Sequence, residues 1–200
     1  MSRLAIVGAS GLVGRNLLEQ LEIRDFKIDE IFLLGKKSVG SSINFLNKNH
    51  VIEDIDNFNF NKPDYAILSA GSDVARDYAN KFIEAGCKVI DMSSFFRYED
   101  DVPLIIPEIN GHIITKKTTL VANPNCSTAQ LLMILDHIHK EFVIESVMVT
   151  TFQAVSGAGE QGIKELEDQS QSISEVSNIF SKTIAGNVIP QCDKFLDNGF

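Results

Sequence analysis

Apolar positions in this chain fall in short runs separated by stretches of helical periodicity. Arg3–Val7 is a compact apolar run that predicts a buried strand, and Leu12–Ile23 repeats apolar residues at helical spacing behind a glycine turn. Residues 30–34 predict a second strand, and 43–45 and 51–54 predict shorter strands with polar breaks. After Pro63 the pattern gives a strand at Tyr65–Leu68, a helix over 73–85 closed by Gly86, and a strand at Lys88–Asp91. An irregular stretch holding Pro103 and Pro107 leads to a strand at 119–122, a helix at 126–140, a long strand at 143–153 and a helix at 160–169. The polar stretch 168–177 reads as a helix end running into a solvated loop.

Strands alternating with helices predict an α/β fold built from parallel βαβ units. The section change near Asn123-Pro124-Asn125 places a boundary at 124, giving a first domain over 1–124 and a second part over 125–200. The second part offers one long strand and two helices, which predicts an incomplete sheet.

Composition narrows the class. Eighteen Lys and Arg against 27 Asp and Glu leave a net charge of −9, so the chain has no electrostatic reason to follow a phosphate backbone or an anionic membrane. The longest apolar runs, such as 131–135, fall far short of the roughly 20 residues of a membrane span. The apolar stretch at the N-terminus, Leu4 to Val7, is too short for a signal peptide, so the expected location is the cytoplasm. Cys87, Cys126 and Cys192 are widely spaced and lack a zinc-finger pattern, which disfavours a disulfide framework or a metal site.

Two local motifs carry chemistry. Gly8-Ala-Ser-Gly11-Leu-Val-Gly14 joins the first strand to the first helix, where glycines let backbone amides and the positive helix end approach a pyrophosphate. A bare tight turn is the plain alternative, but the strand–turn–helix context favours dinucleotide binding. The second strand ends Leu34-Gly35-Lys36-Lys37-Ser38, with no carboxylate for a ribose 2′-hydroxyl. Two lysines and a serine suit a 2′-phosphate, which favours NADP over NAD; the alternative is a solvated basic loop. The second motif, Asn123-Pro-Asn-Cys126-Ser-Thr128, puts a cysteine at the first turn of a helix, a setting that favours the thiolate and supplies amides for an oxyanion. A lone cysteine is otherwise a small core residue, and Cys87 and Cys192 take that reading.

Asn123-Pro-Asn-Cys-Ser-Thr128 resembles the active-site motif of the aspartate-β-semialdehyde dehydrogenases. Ser69-Ala-Gly71, Asp91-Met-Ser-Ser-Phe-Phe-Arg97 with Val102-Pro-Leu, Phe152-Gln-Ala-Val-Ser-Gly-Ala-Gly159 and the segment 187–199 are similar to the same family, so the resemblance runs the length of the chain. It implies a Rossmann-type NADP-binding domain followed by the first part of an α/β substrate and dimerisation domain. It also implies that Cys126 is the nucleophile, that Asn125 steadies its surroundings, that Gln153 orients substrate and that Arg97 binds phosphate or an acyl phosphate. NADP would be contacted by Gly8, Ser10, Gly11, Leu12, Val13, Lys37, Ser38, Ala70, Gly71, Ser156, Gly157 and Pro190. Gly35 stands where the family often has serine.

The implied reaction is reductive dephosphorylation of L-aspartyl 4-phosphate to L-aspartate 4-semialdehyde through a cysteine thioester, at the branch leading to lysine (through diaminopimelate), threonine and methionine. The implied partners are these small substrates, phosphate and a second copy of the chain. Such chemistry needs a proton donor and acceptor beside the cysteine. His137 and His139 lie 11 and 13 residues beyond Cys126 on one predicted helix, about 16–20 Å along its axis, and His50 and His112 belong to other segments. In the family the substrate-binding Glu, Lys and Arg and the catalytic His come after the position matching Phe200. The expectation is therefore a truncated member, either dependent on residues supplied elsewhere or an inactive NADP-binding fragment.

Overall fold

The computed structural model describes residues 2–173 and 177–191, which fall into two compact units, Met1–Met148 and Val149–Phe200. The first is built on a six-stranded parallel sheet. Its strands are β1 (Arg3–Val7), β2 (Glu30–Gly35), β5 (Glu53–Asp54), β6 (Tyr65–Leu68), β7 (Lys88–Asp91) and β8 (Leu120–Ala122), in the order β5-β2-β1-β6-β7-β8. A separate antiparallel hairpin pairs β3 (Ser42–Phe45) with β4 (Lys48–Val51). Its two-residue tip, Leu46 and Asn47, has positive φ at both positions, as a type I′ turn requires.

The central strands carry apolar residues without alternation because both of their faces are buried. On one face Leu4, Ile6, Leu33 and Ile52 pack with Leu18 of α1 (Leu12–Ile23). On the other, Ala5, Val7, Phe32 and Leu34 pack with Ala75, Tyr78, Ala79 and Phe82 of α2 (Ser72–Glu84). Gly86, at φ +84, closes α2 as expected: its amide bonds the Ile83 carbonyl while the Cys87 amide reaches Phe82. Residues 51–54 are not one strand. The buried Ile52 donates to Ser41 and accepts from Gly40, and this hinge carries the chain out of the hairpin before β5 joins β2.

From β1 the sheet grows first through β2 and then, reversing, through β6, β7 and β8. The crevice between the carboxyl ends of β1 and β6 is the topological switch point where open α/β sheets bind ligands. A short α3 (Pro107–Asn110) lies between β7 and β8, and beyond β8 comes α4 (Cys126–Phe142), which has no fully buried residue. The strand expected at 143–153 does not form. Val143 ends α4 in the left-handed region at φ +54, and no strand among the described residues pairs with residues 144–153. Apolar alternation predicts a strand only where a neighbour supplies ladder hydrogen bonds, and here Met148 and Phe152 are solvent-exposed. The second unit holds α5 (Gly159–Ser170) and the loop strapped to it.

Candidate active site

The glycine turn follows directly from β1. Gly8, at φ +87, donates to Leu34 and accepts from Gly11, which folds the chain back across the sheet edge. A Cβ on Gly8 would lie 2.9 Å from the Ala70 Cβ, so the β6–α2 turn carrying Ala70 and Gly71 packs directly on the β1–α1 turn. Gly14 is tighter still, since its Cβ would meet the Gly8 carbonyl at 2.3 Å. Gly11, by contrast, faces only that carbonyl, at 3.4 Å. It starts α1 with no side-chain cap, so the first helical amides, Leu12 and Val13 among them, are left to an outside acceptor. An uncapped helix start behind a glycine cradle at the switch point fits a dinucleotide pyrophosphate.

Ser10 and Ser38 meet across this turn, with their hydroxyl oxygens 2.8 Å apart. The contact ties the phosphate turn to the end of β2, where a ribose would lie. The two lysines beside Ser38 part company. Lys36 turns to the α2 side, 3.5 Å from Asp56 and over the Tyr78 ring, while Tyr78 donates its hydroxyl hydrogen to Asp56. The hydrogen bond to Tyr78 and the charge of Asp56 raise the Lys36 pKa. Lys37 is exposed and has no ion-pair partner among the described residues. The basic pair read from the sequence is thus one engaged cation and one available one.

At the far end of the sheet, β7 and β8 deliver two turns. Asp91 is fully buried, and its carboxylate accepts from the amide and hydroxyl of Ser93, whose oxygen accepts from the Phe95 amide. The curl brings Arg97 back to the chain after β8, where its Nε donates to the Asn123 carbonyl at 2.9 Å and its Nη2 to the Met92 carbonyl at 3.4 Å. Asn125 caps α4 by accepting from the Ser127 amide. Cys126 is the first residue of that helix and is exposed, with its sulfur 4.0 Å from the Ser127 hydroxyl. Cys87 is buried at the foot of β7, and burial pushes its thiol up to about 12. Cys192 lies outside the described residues.

In the second unit, Gln153 is exposed and donates to the Thr151 hydroxyl. Ser156 and Gly157 form an exposed turn just before α5, and Pro190 lies in the loop beyond it. Sequence reasoning passed over what holds that loop. Glu165 is buried and accepts from the amides of Asn178, Ile179 and Phe180, and Gln169, one turn on, accepts from Ile184 and Ala185. Two polar residues four apart on the buried face of an otherwise amphipathic helix were the available signal. Asp91 offered a weaker one, an Asp two residues before a Ser at a strand end.

A doubly wound sheet with an open glycine turn at its switch point, and an exposed cysteine at its carboxyl edge, defines a nucleotide-binding α/β domain. The chain belongs to the semialdehyde dehydrogenase family: the family's NAD-binding domain model matches residues 3–117 and its dimerisation domain model matches 135–200. Aspartate-semialdehyde dehydrogenase from Shewanella violacea is 41% identical over 98% of this chain, and that from Campylobacter jejuni is 42% identical over 99%. The crystal structure of aspartate semialdehyde dehydrogenase II from Vibrio cholerae complexed with ASA superposes with a TM-score of 0.95 at 40% identity, over 100% of this chain and 62% of that one. The chain spans 60% and 61% of the length of the two curated relatives. No helix among the described residues is long and apolar enough to cross a membrane.

Proposed function

We propose that this chain is the NADP-binding and thiol-bearing part of a cytoplasmic aspartate-semialdehyde dehydrogenase, with residues 1–124 holding the cofactor and 125–200 beginning the substrate and dimerisation part. The observation that carries this reading is the exposed Cys126 at the start of a helix, on the same edge of the sheet as the uncapped glycine turn. Gly8, Gly11, Leu12 and Val13 bind the pyrophosphate, Ala70 and Gly71 flank it, and Lys37, Ser38 and Ser10 hold the 2′-phosphate that distinguishes NADP. For Ser156, Gly157 and Pro190, in the second unit, the family resemblance implies a part in cofactor binding.

Cys126 attacks the acyl carbon of L-aspartyl 4-phosphate: the S–C bond forms, the C–O bond to phosphate breaks, and a thioester remains on the sulfur. The cofactor, when bound, supplies hydride to that carbonyl. Asn125 and the first amides of α4 stabilise the oxyanion and Arg97 receives the phosphate, while for Gln153, in the second unit, the family resemblance implies a substrate-orienting role. Collapse of the resulting thiohemiacetal releases L-aspartate 4-semialdehyde and returns the thiol. The product serves the lysine, threonine and methionine branches, and the working enzyme is a homodimer.

The proton donor is not among the residues of these turns. No histidine lies within 8–14, 69–71, 91–97 or 123–128, and His137 and His139 sit far along α4 from Cys126. With no histidine in these turns, near-background turnover is the outcome expected of residues 1–200. Phosphate-dependent reduction of NADP with aspartate semialdehyde tests both parts of the reading. Robust turnover by residues 1–200 that Cys126→Ala abolishes shows a base within the chain. Turnover untouched by Cys126→Ala overturns the nucleophile assignment.

A further inference from the structure

Asn123 is held on both of its backbone groups by one segment. Its N–H donates to the Asp91 carbonyl at 2.8 Å, and its C=O accepts from Arg97 Nε at 2.9 Å. The same guanidinium reaches the Met92 carbonyl, so Arg97 staples the residue after β7 to the residue after β8. From Asn123 to the sulfur the chain has little slack. The Asn123 side chain donates to the Pro124 carbonyl at 3.0 Å, the proline ring fixes its own φ, and Asn125 caps the helix that Cys126 begins. Arg97 itself is set by the buried Asp91–Ser93 turn, which curls 91–97 back over the sheet edge.

We propose that Arg97 is a positioning residue for Cys126: its bond to the Asn123 carbonyl fixes the turn from which the thiol is presented. This is separate from phosphate binding, which falls to the part of the fork that the two carbonyl bonds leave over. The importance of Cys126 rests on the function proposed above, whereas the tether does not. A lysine keeps the charge but cannot reproduce a planar fork that spans two carbonyls. Arg97→Lys therefore separates the tether from the charge, and Arg97→Met removes both.

The experiment uses the 200-residue chain. Amide hydrogen exchange is followed on peptides covering 120–130, with peptides from β1 and β6 as internal controls. Alkylation of Cys126 by neutral iodoacetamide and by anionic iodoacetate is timed by peptide mass analysis. The tether predicts that both variants speed exchange in 120–130 about tenfold and slow iodoacetamide alkylation by a similar factor, with β1 and β6 unchanged. Native exchange and native iodoacetamide rates in Arg97→Lys overturn it. Loss of protection throughout the domain in both variants also overturns it, because Arg97 then serves the whole fold and not this turn. The ratio of iodoacetate to iodoacetamide rates tests the phosphate assignment independently: it falls in Arg97→Met and holds in Arg97→Lys if the guanidinium charge faces the thiol.

Discussion

Ser10 and Ser38 bring their hydroxyl oxygens to 2.8 Å, joining the phosphate turn after β1 to the end of β2. The contact brings Ser38, the residue after Lys37, against the glycine turn, whereas Lys36 is drawn off by Asp56 and Tyr78. Lys37→Met is expected to weaken NADP binding about tenfold and leave NAD binding unchanged, as loss of one charge-assisted bond to a phosphate requires. Lys36→Met leaves both alone. Isothermal titration with the two cofactors checks this, and equal losses in the two variants would remove the distinction drawn between the lysines.

Two glycines of the same turn serve different ends. Gly14→Ala forces a Cβ to 2.3 Å from the Gly8 carbonyl and 2.7 Å from the Ala9 Cα, an overpacking expected to cost about 1–3 kcal/mol of stability. Gly11 has an ordinary φ of −75°, and a Cβ there makes only a 3.4 Å van der Waals contact with the Gly8 carbonyl, so Gly11→Ala keeps the melting temperature and loses NADP affinity at least about tenfold as the methyl group meets the phosphates. Thermal melts beside cofactor titrations separate the two.

The described thiols differ in kind. Cys126 is exposed at a helix start, while Cys87 is buried with its pKa pushed up to about 12 by loss of solvation. Iodoacetamide at pH 8 is expected to modify Cys126 in the native chain and to reach Cys87 only after unfolding. Peptide mapping reads this directly, and native labelling of Cys87 at a comparable rate would contradict the burial.

At the opposite end of the sheet, Arg3 grips Asp64 through its backbone amide, Nε and Nη2, and the Asp64 amide donates back to the Arg3 carbonyl. The side-chain and backbone hydrogen bonds from Arg3 lower the Asp64 carboxyl from 3.8 to about 2. A depressed acid stabilises the fold above its unfolded pKa and loses that contribution as pH falls through its folded one. Asp64→Ala is therefore expected to lower the melting temperature at neutral pH, with the gap closing between pH 4 and 2. A gap that persists at pH 2 would assign the loss to packing instead.

Glu165 ties the loop of the second unit to α5. Burial pushes its carboxyl pKa up, but the amides of Ile179, Asn178 and Phe180 outweigh burial and leave it below the ordinary value. The strap is accordingly a high-pH device, lost as acid protonates it. Glu165→Ala is expected to speed exchange of those amides about tenfold at neutral pH without unfolding α5. Unchanged protection would show that the loop holds itself.

The legible parts of this protein are those written in neighbouring residues. The run Arg3–Val7, the helical spacing of Leu12–Ile23, the glycine turn between them and the closing glycine at 86 follow from local sterics and period, and the structure places them as read. Cys126 at a helix start is local too, because Asn125 supplies the cap. Partners distant in the chain were not legible. Which lysine stays available depends on Asp56 and Tyr78, where Arg97 points depends on the carbonyl of Asn123, and whether 143–153 forms a strand depends on a neighbour to pair with. Sequence by itself determined the first strand, the glycine turn, the helix behind it and the helix start at Cys126, since those rest on backbone preference and burial period. Only the tertiary structure decided which side chains are engaged and which remain open, because a hydrogen bond or ion pair exists only when folding brings its second half within reach.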